Sequence, residues 1–429
     1  MKGKPVQSKV LIMWIAALAV IIRFAYISRY GDFMSGPDAD TYSSVATAIL
    51  KDGAFVQVQQ VPYWPIGYPW FLAVTSAPFG GNFIFSVVAQ ILISGVGIFC
   101  FGLILKKIFN SRIAILSSTI LAINPALVVS STQLMYETVQ IFLAIIGCYL
   151  CLKLSDKSNL IKRVWLCLAA ILILTISAIM QLKILGLFLG LVLGLMVCKQ
   201  LVREKERFRI LSIFSILIGV ILIAPAVILG RNLIAGDGLG VSKNYQVHVI
   251  FGLGDGRLSA ENCTNPSKLG YDDIRYIVCL QKEKVIHPKS GLKATTRQTF
   301  DLFSPYLGHL AWKIDGNGTW YHGIDPRKLI GGYGGINWHR FVSMDIILSS
   351  LWMSFLIFTV LLGSANVLKF RSSFPKAIPL VTGVITLALV SILGDGDSRH
   401  RLSLIPLYTP LVVFALSNIF SNINVRGKR

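Results

Sequence analysis

Acidic residues are scarce in this sequence. Its 429 residues hold 20 Asp and Glu against 41 Lys and Arg, and charged residues of both signs make up only 14%. An ordinary soluble domain carries about 25%. With 54% hydrophobic residues and a mean hydropathy of +0.67, so small a supply of charge excludes a soluble globular protein. Cysteine is sparse as well: there are seven, with no paired CxxC and no His/Cys spacing of a metal site. Internal repeats and low-complexity tracts are absent. The Gly-Asp-Gly triplets at 236–238, 254–256 and 394–396 lack the Lys-Ser/Thr of a phosphate loop and the spacing of a calcium loop, so they read as turns.

What the sequence does have is apolar runs of about 20 residues, the length that crosses a bilayer as a helix. About ten spans are expected, near 10–28, 83–105, 113–131, 137–152, 164–182, 184–198, 210–230, 343–367, 377–394 and 402–421. The predicted fold is therefore an all-α polytopic membrane protein. The first span has a basic flank, but it contains Arg23 and no small-residue cleavage site follows, so it reads as an uncleaved span rather than a signal peptide.

The net charge of +21 invites a nucleic-acid partner, but its distribution argues against one. With the N-terminus placed in the cytoplasm, the inner segments are 1–9, 106–112, 153–163, 199–209, 369–376 and 426–429. They hold 21 of the 41 Lys and Arg but only three acids, Asp156, Glu204 and Glu206. This is the positive-inside bias of short cytoplasmic loops. Both termini are expected in the cytoplasm, and no nucleic-acid partner is implied. Cys263 and Cys279 fall in the long outer loop, where an oxidising compartment permits a disulfide.

Three regions follow: an N-terminal transmembrane module, 1–230, with a first outer loop at 29–82; a large outer loop, 231–341; and C-terminal transmembrane helices, 342–429. Long loops over a rigid scaffold tend to carry function. In the first loop, Tyr42, Ala46, Ile49 and Leu50 fall at helical spacing, with Asp40 or Thr41 as a cap and Gly53 as a stop, predicting a short amphipathic surface helix. The stretch that follows, "VPYWPIGYPWFLAVTSAPFG", which contains Tyr68, predicts rigid turns and an interfacial aromatic belt.

Several charged residues fall at the ends of the spans. Asp38, behind Pro37 at the mouth of the first span, reads as a base for a hydroxyl nucleophile or as a helix cap. Glu137 follows the Asn124-Pro125 break, and an acid near lipid usually faces protein or water. Lys183 and Arg231 sit at outer span ends, where they could bind an anionic headgroup or snorkel. Arg399, His400 and Arg401 cluster at the outer start of the last span, a setting that suits a phosphate.

Four stretches in order resemble one family. They are "PDADTYSSVATAILKDGAF" with "PIGYPWFLAVTSAPFG", "NPALVVSSTQLMYETVQIFLAIIGCYL", "APAVILGRNLIAGDGLGVSKNYQVHVIFGLGDG" and "DSRHRLSLIPLYTPLVVFAL". The chain resembles the GT-C superfamily of integral-membrane glycosyltransferases, in the bacterial branch related to protein O-mannosyltransferases and aminoarabinose transferases (family 39-like). That family places Asp-Glu four and three residues before a loop Tyr. Here Asp38 keeps the first acid before Tyr42, Ala39 replaces the second, and Asp40 is displaced by one residue.

The resemblance implies a bacterial inner-membrane enzyme with its active site on the outer face. It would move a sugar from a polyprenyl-phosphate donor to a glycan, lipid or protein acceptor. Asp38 and Asp40 become the catalytic candidates. Arg399, Arg401, His400, Lys183 and Arg231 become the phosphate-binding candidates. Tyr42, Glu137 and Tyr68 are acceptor-binding or supporting candidates. A divalent cation held by Asp40 and Glu137 stays open. The rival readings are an O-antigen polymerase or ligase, and a lipid or glycan transporter without catalysis.

Overall fold

The computed structural model describes residues 5–30, 33–34, 39–57, 65–154, 159–181, 184–185, 188, 204–238, 240, 405–406, 409–410, 412–414 and 416–417. Every regular element among them is helical: α1 (Pro5–Tyr30), α2 (Ala39–Asp52), α3 (Gly67–Ser76) with a single 3-10 turn after it, α4 (Ile84–Ile108), α5 (Ser111–Ile123), α6 (Pro125–Thr132), α7 (Tyr136–Lys153), α8 (Leu160–Met180) and α9 (Glu204–Ile234). Five helices are long and apolar enough to cross a membrane, at Gln7–Arg29, Ile84–Ile108, Tyr136–Lys153, Ile161–Met180 and Ile213–Ile234. The chain is an all-α polytopic membrane protein.

Local chemistry sets the helix ends. The Asn110 side chain accepts from Ile113 N at 3.0 Å to start α5. Asn159 accepts from Lys162 N at 3.0 Å to start α8. Asn124 ends α5 in an extended conformation and accepts from Leu127 N at 3.2 Å to start α6, with Pro125 in the first turn. The run 113–131 is thus two helices rather than one span. The stretch after the surface helix also differs from expectation. Residues 67–76 form a helix rather than turns, because Pro69 lies in its first turn, where a missing N–H costs nothing.

α4 is the central element, packed against α1, α5 and α7, while α7 packs on α8 and α8 on α9. α4 and α7 approach closely because a Cβ on Gly97 would lie 2.3 Å from Phe142 Cδ1. Trp14, Trp165, Leu172 and Leu222 are exposed on the outside of the bundle, as expected of side chains that face lipid. Hydrogen bonds between chain segments distant in sequence show which helix ends lie together. Gln90 Nε2, near the start of α4, donates to Gln133 O at 2.8 Å. Gln140 Nε2, near the start of α7, donates to Ser177 O, near the end of α8, at 3.1 Å. At the opposite end, Lys107 Nζ donates to Leu152 O at 3.2 Å.

The expected spans 343–367 and 377–394, nearly all of 184–198, and the loop beyond Gly240 lie outside the described residues. So do Cys263 and Cys279. The described residues between 405 and 417 are helical. Ile405 joins the core formed by α1, α4, α5 and α7, and Phe414 packs against Phe109 at a ring distance of 5.6 Å.

Candidate functional site

The site is built where the segment between α1 and α4 returns onto the bundle. α2 buries Ala39, Tyr42, Ala46 and Ile49 along one face, the i, i+3, i+4 spacing that makes a helix lie on its side. It ends at Gly53, whose φ of +95° suits glycine. The helix begins at Ala39, so Asp40 lies in its first turn, exposed, where a carboxylate complements the helix dipole. Asp38 lies outside the described residues, and the chain leaves it directly into α2.

α3 brings in Tyr68, which is fully buried. A Cβ on Gly67 would lie 2.4 Å from Ile179 O, so only glycine lets the start of α3 sit this close to the end of α8. The Tyr68 ring lies edge-on to Tyr42 at 4.9 Å and to Tyr136 at 6.5 Å, and Tyr42 meets Tyr136 at 6.3 Å. Three tyrosines from α2, α3 and α7 therefore form one unit, within an apolar cluster that also holds Leu72, Val87, Ile91, Leu134 and Met180.

Glu137 follows Tyr136 in the first turn of α7 and is buried. Burial, and then the charge of Glu137, push the Tyr68 hydroxyl well above the usual tyrosine range. Tyr68 therefore stays protonated and acts as a donor, and its hydroxyl donates a hydrogen bond to Gln90 Oε1. Around this point lies a layer of buried polar groups. Thr138 Oγ1 donates to Ser130 Oγ at 2.7 Å, Ser177 Oγ donates to Gln140 O at 2.8 Å, and Leu134 N donates to Phe33 O at 3.0 Å, tying the first loop to the turn before α7.

Arg231 stands near the end of α9. Its Nη1 pairs with Asp237 Oδ2 and donates to Asn232 Oδ1 at 3.1 Å, while its Nη2 donates to Val56 O. Within 236–238 the first Gly-Asp-Gly triplet is a turn, with Gly236 at φ +74° and Gly238 at φ +95°. Of the residues predicted from sequence, Tyr42, Tyr68 and Glu137 are thus brought together, and Arg231 is engaged by protein groups. Asp40 is exposed on α2. Lys183, Arg399, His400 and Arg401 lie outside the described residues, as Asp38 does. Among the described residues no three His, Cys, Asp or Glu side chains meet as a metal site.

Sequence reasoning passed over Tyr136, Gln90 and Gln140, and gave Arg23 no role. Arg23 is fully buried in α1 and donates from Nη1 to Ala19 O at 2.9 Å and to Ala122 O at 3.1 Å. Its Nε and Nη2 have no hydrogen-bond partner among the described residues. The signal available was a lone polar residue inside an apolar run, which in a membrane protein points inward.

A family model described as dolichyl-phosphate-mannose-protein mannosyltransferase matches residues 64–229, which runs from α3 into α9, Tyr68 and Glu137 included. Among solved structures, the oligosaccharyltransferase AglB of the archaeon Archaeoglobus fulgidus, in complex with an inhibitory peptide and a dolichol-phosphate, aligns with a TM-score of 0.54 and 12% identity. That alignment covers 97% of this chain and 51% of that one. The oligosaccharyltransferase of the same organism in complex with Zn and sulfate gives a TM-score of 0.51 and 13% identity, over 97% and 50%. The chain spans about half the length of these structures, and at such identity the likeness is one of fold. A search of curated proteins found no match.

Proposed function

We propose that this chain is a membrane glycosyltransferase of the GT-C superfamily, a reading supported by the family match and the fold likeness, and that it moves a sugar from a polyprenyl-phosphate donor to an acceptor hydroxyl at the outer face of a bacterial inner membrane. Asp38 is the general base. Its carboxylate takes the hydroxyl proton, the acceptor oxygen attacks the anomeric carbon, and the bond to the phosphate oxygen breaks. Polyprenyl phosphate leaves with the electron pair and the configuration inverts. Arg399 and Arg401, with His400 and Lys183 nearby in this scheme, stabilise the charge on the leaving group. Asp40 supports Asp38. The loop 231–341 contributes to the acceptor site, between transmembrane regions 1–230 and 342–429.

The observation that carries the reading is the way α2 is fixed. The helix that starts directly after Asp38 is anchored through Tyr42 to Tyr68 and Tyr136, next to the buried Glu137. A base must be held within reach of the proton it removes, and this anchoring limits the freedom of the residue just before the helix. The dolichol-phosphate and peptide bound by the archaeal structure agree with a lipid-phosphate donor and with a protein among the acceptors.

Mass spectrometry of envelope glycans and glycoproteins, with and without the chain, tests the reading. Loss of a glycan modification on deletion is expected, together with its restoration by the parental gene. Unchanged glycans combined with a defect in lipid translocation would point to transport instead.

A further inference from the structure

The guanidinium of Arg231 is shared between two parts of the chain. Both members of the Arg231–Asp237 pair are buried, with side chains 1% and 0% exposed. Gly236, at φ +74°, lets the chain reverse after α9 so that Asp237 returns to the arginine, and Asp237 N bonds Asn232 O at 2.8 Å. A lysine could serve such a pair. The planar fork of arginine does more, because Nη2 reaches Val56 O in the turn after α2. A second tie crosses the same junction, from Gln57 Nε2 to Gly236 O at 3.4 Å. On its other side that turn is held by Trp70 Nε1, which donates to Ala54 O at 3.1 Å, and Trp70 belongs to α3, the helix of Tyr68.

We propose that Arg231 is a positioning residue: it clasps the turn 53–57 to the turn 235–238, so that the loop bearing the proposed base and the segment leading to the proposed acceptor loop hold one arrangement. This rests on the function proposed above. It gives Arg231 a task other than binding the donor phosphate, since both of its terminal nitrogens are engaged by protein oxygens. Its effect on the reaction is indirect, through the geometry between two loops.

Arg231→Lys keeps a cation opposite Asp237 but removes the fork that reaches Val56. Hydrogen exchange of the purified full chain is expected to rise at 53–57 as well as at 235–237, with the unfolding midpoint close to parental. Donor-lipid affinity should be unchanged while turnover falls roughly 10- to 100-fold, the scale of a misplacement near 1 Å. If the lysine variant folds poorly, Arg231→Met with Asp237→Leu removes both buried charges together, and the same pattern is expected. Exchange that rises only at 235–237 would show that the two turns are not coupled. Donor affinity falling in step with turnover would make Arg231 a phosphate ligand. Parental turnover with 53–57 deprotected would remove the positioning role. A parental protein with the expected protection but no transfer would overturn the proposed function alone, leaving the clasp to stand on the exchange result.

Discussion

The Tyr68 hydroxyl donates a hydrogen bond to Gln90 Oε1, and both side chains are fully excluded from solvent. Gln90 in turn donates to Gln133 O. A side chain of α3 is thereby linked through α4 to the turn that launches α7.

Tyr68→Phe keeps the ring contacts and removes the proton. The Gln90 oxygen is then buried without a donor, which costs about 1–3 kcal/mol. Denaturant or thermal unfolding in detergent should show that loss. In a cycle with Gln90→Leu, the double variant should lose less than the two single losses added together.

Asp38→Asn keeps the shape of the side chain but leaves too weak a base. A general base contributes on the order of 10²–10⁴-fold, so transfer by the purified variant should fall within that range while expression and donor binding stay near parental. Asp40→Asn should be milder, since Asp40 points to solvent from the first turn of α2. Parental turnover by Asp38→Asn would return that residue to the role of a helix cap.

Replacing Arg399 and Arg401 together with Gln should weaken binding of the donor lipid and spare folding. Direct binding of a polyprenyl-phosphate sugar to the folded double variant reads this out. Unchanged affinity would remove both residues from the phosphate site.

The topology is tested by single-cysteine labelling with an impermeant maleimide in intact cells, on a background from which the other cysteines have been removed. Lys268→Cys should label and Lys428→Cys should not. The reverse pattern would turn the chain over and place the proposed loops in the cytoplasm.

Some of this was legible in the sequence because it is periodic or continuous. The runs read at 10–28, 83–105, 137–152, 164–182 and 210–230 correspond to α1, α4, α7, α8 and α9, since an apolar run has no alternative to a helix in lipid. Tyr42, Ala46 and Ile49 marked the buried face of α2 by spacing. α3 was hidden by Pro69, since proline signals a turn even where the first turn of a helix accepts it. Gln90 and Gln140 are single residues in apolar runs, and no period reveals the carbonyls they reach 43 and 37 residues away. The pairing of Arg231 depends on a reversal at Gly236 and on a turn 175 residues earlier, a relation that exists only after folding.

The break at Asn124 and Pro125 has a consequence for biosynthesis. α5 has 13 residues, a length of about 20 Å, whereas the hydrocarbon core is about 30 Å thick. Released alone from the insertion machinery, it is too short to cross. It must stay beside α4, on which it packs, until α6 has been synthesised. Ribosomal pausing or a substitution that delays α6 should therefore expose α5 to quality-control proteases during synthesis, although in the finished protein one face of it, with Ile113, Ala114 and Leu121, is buried.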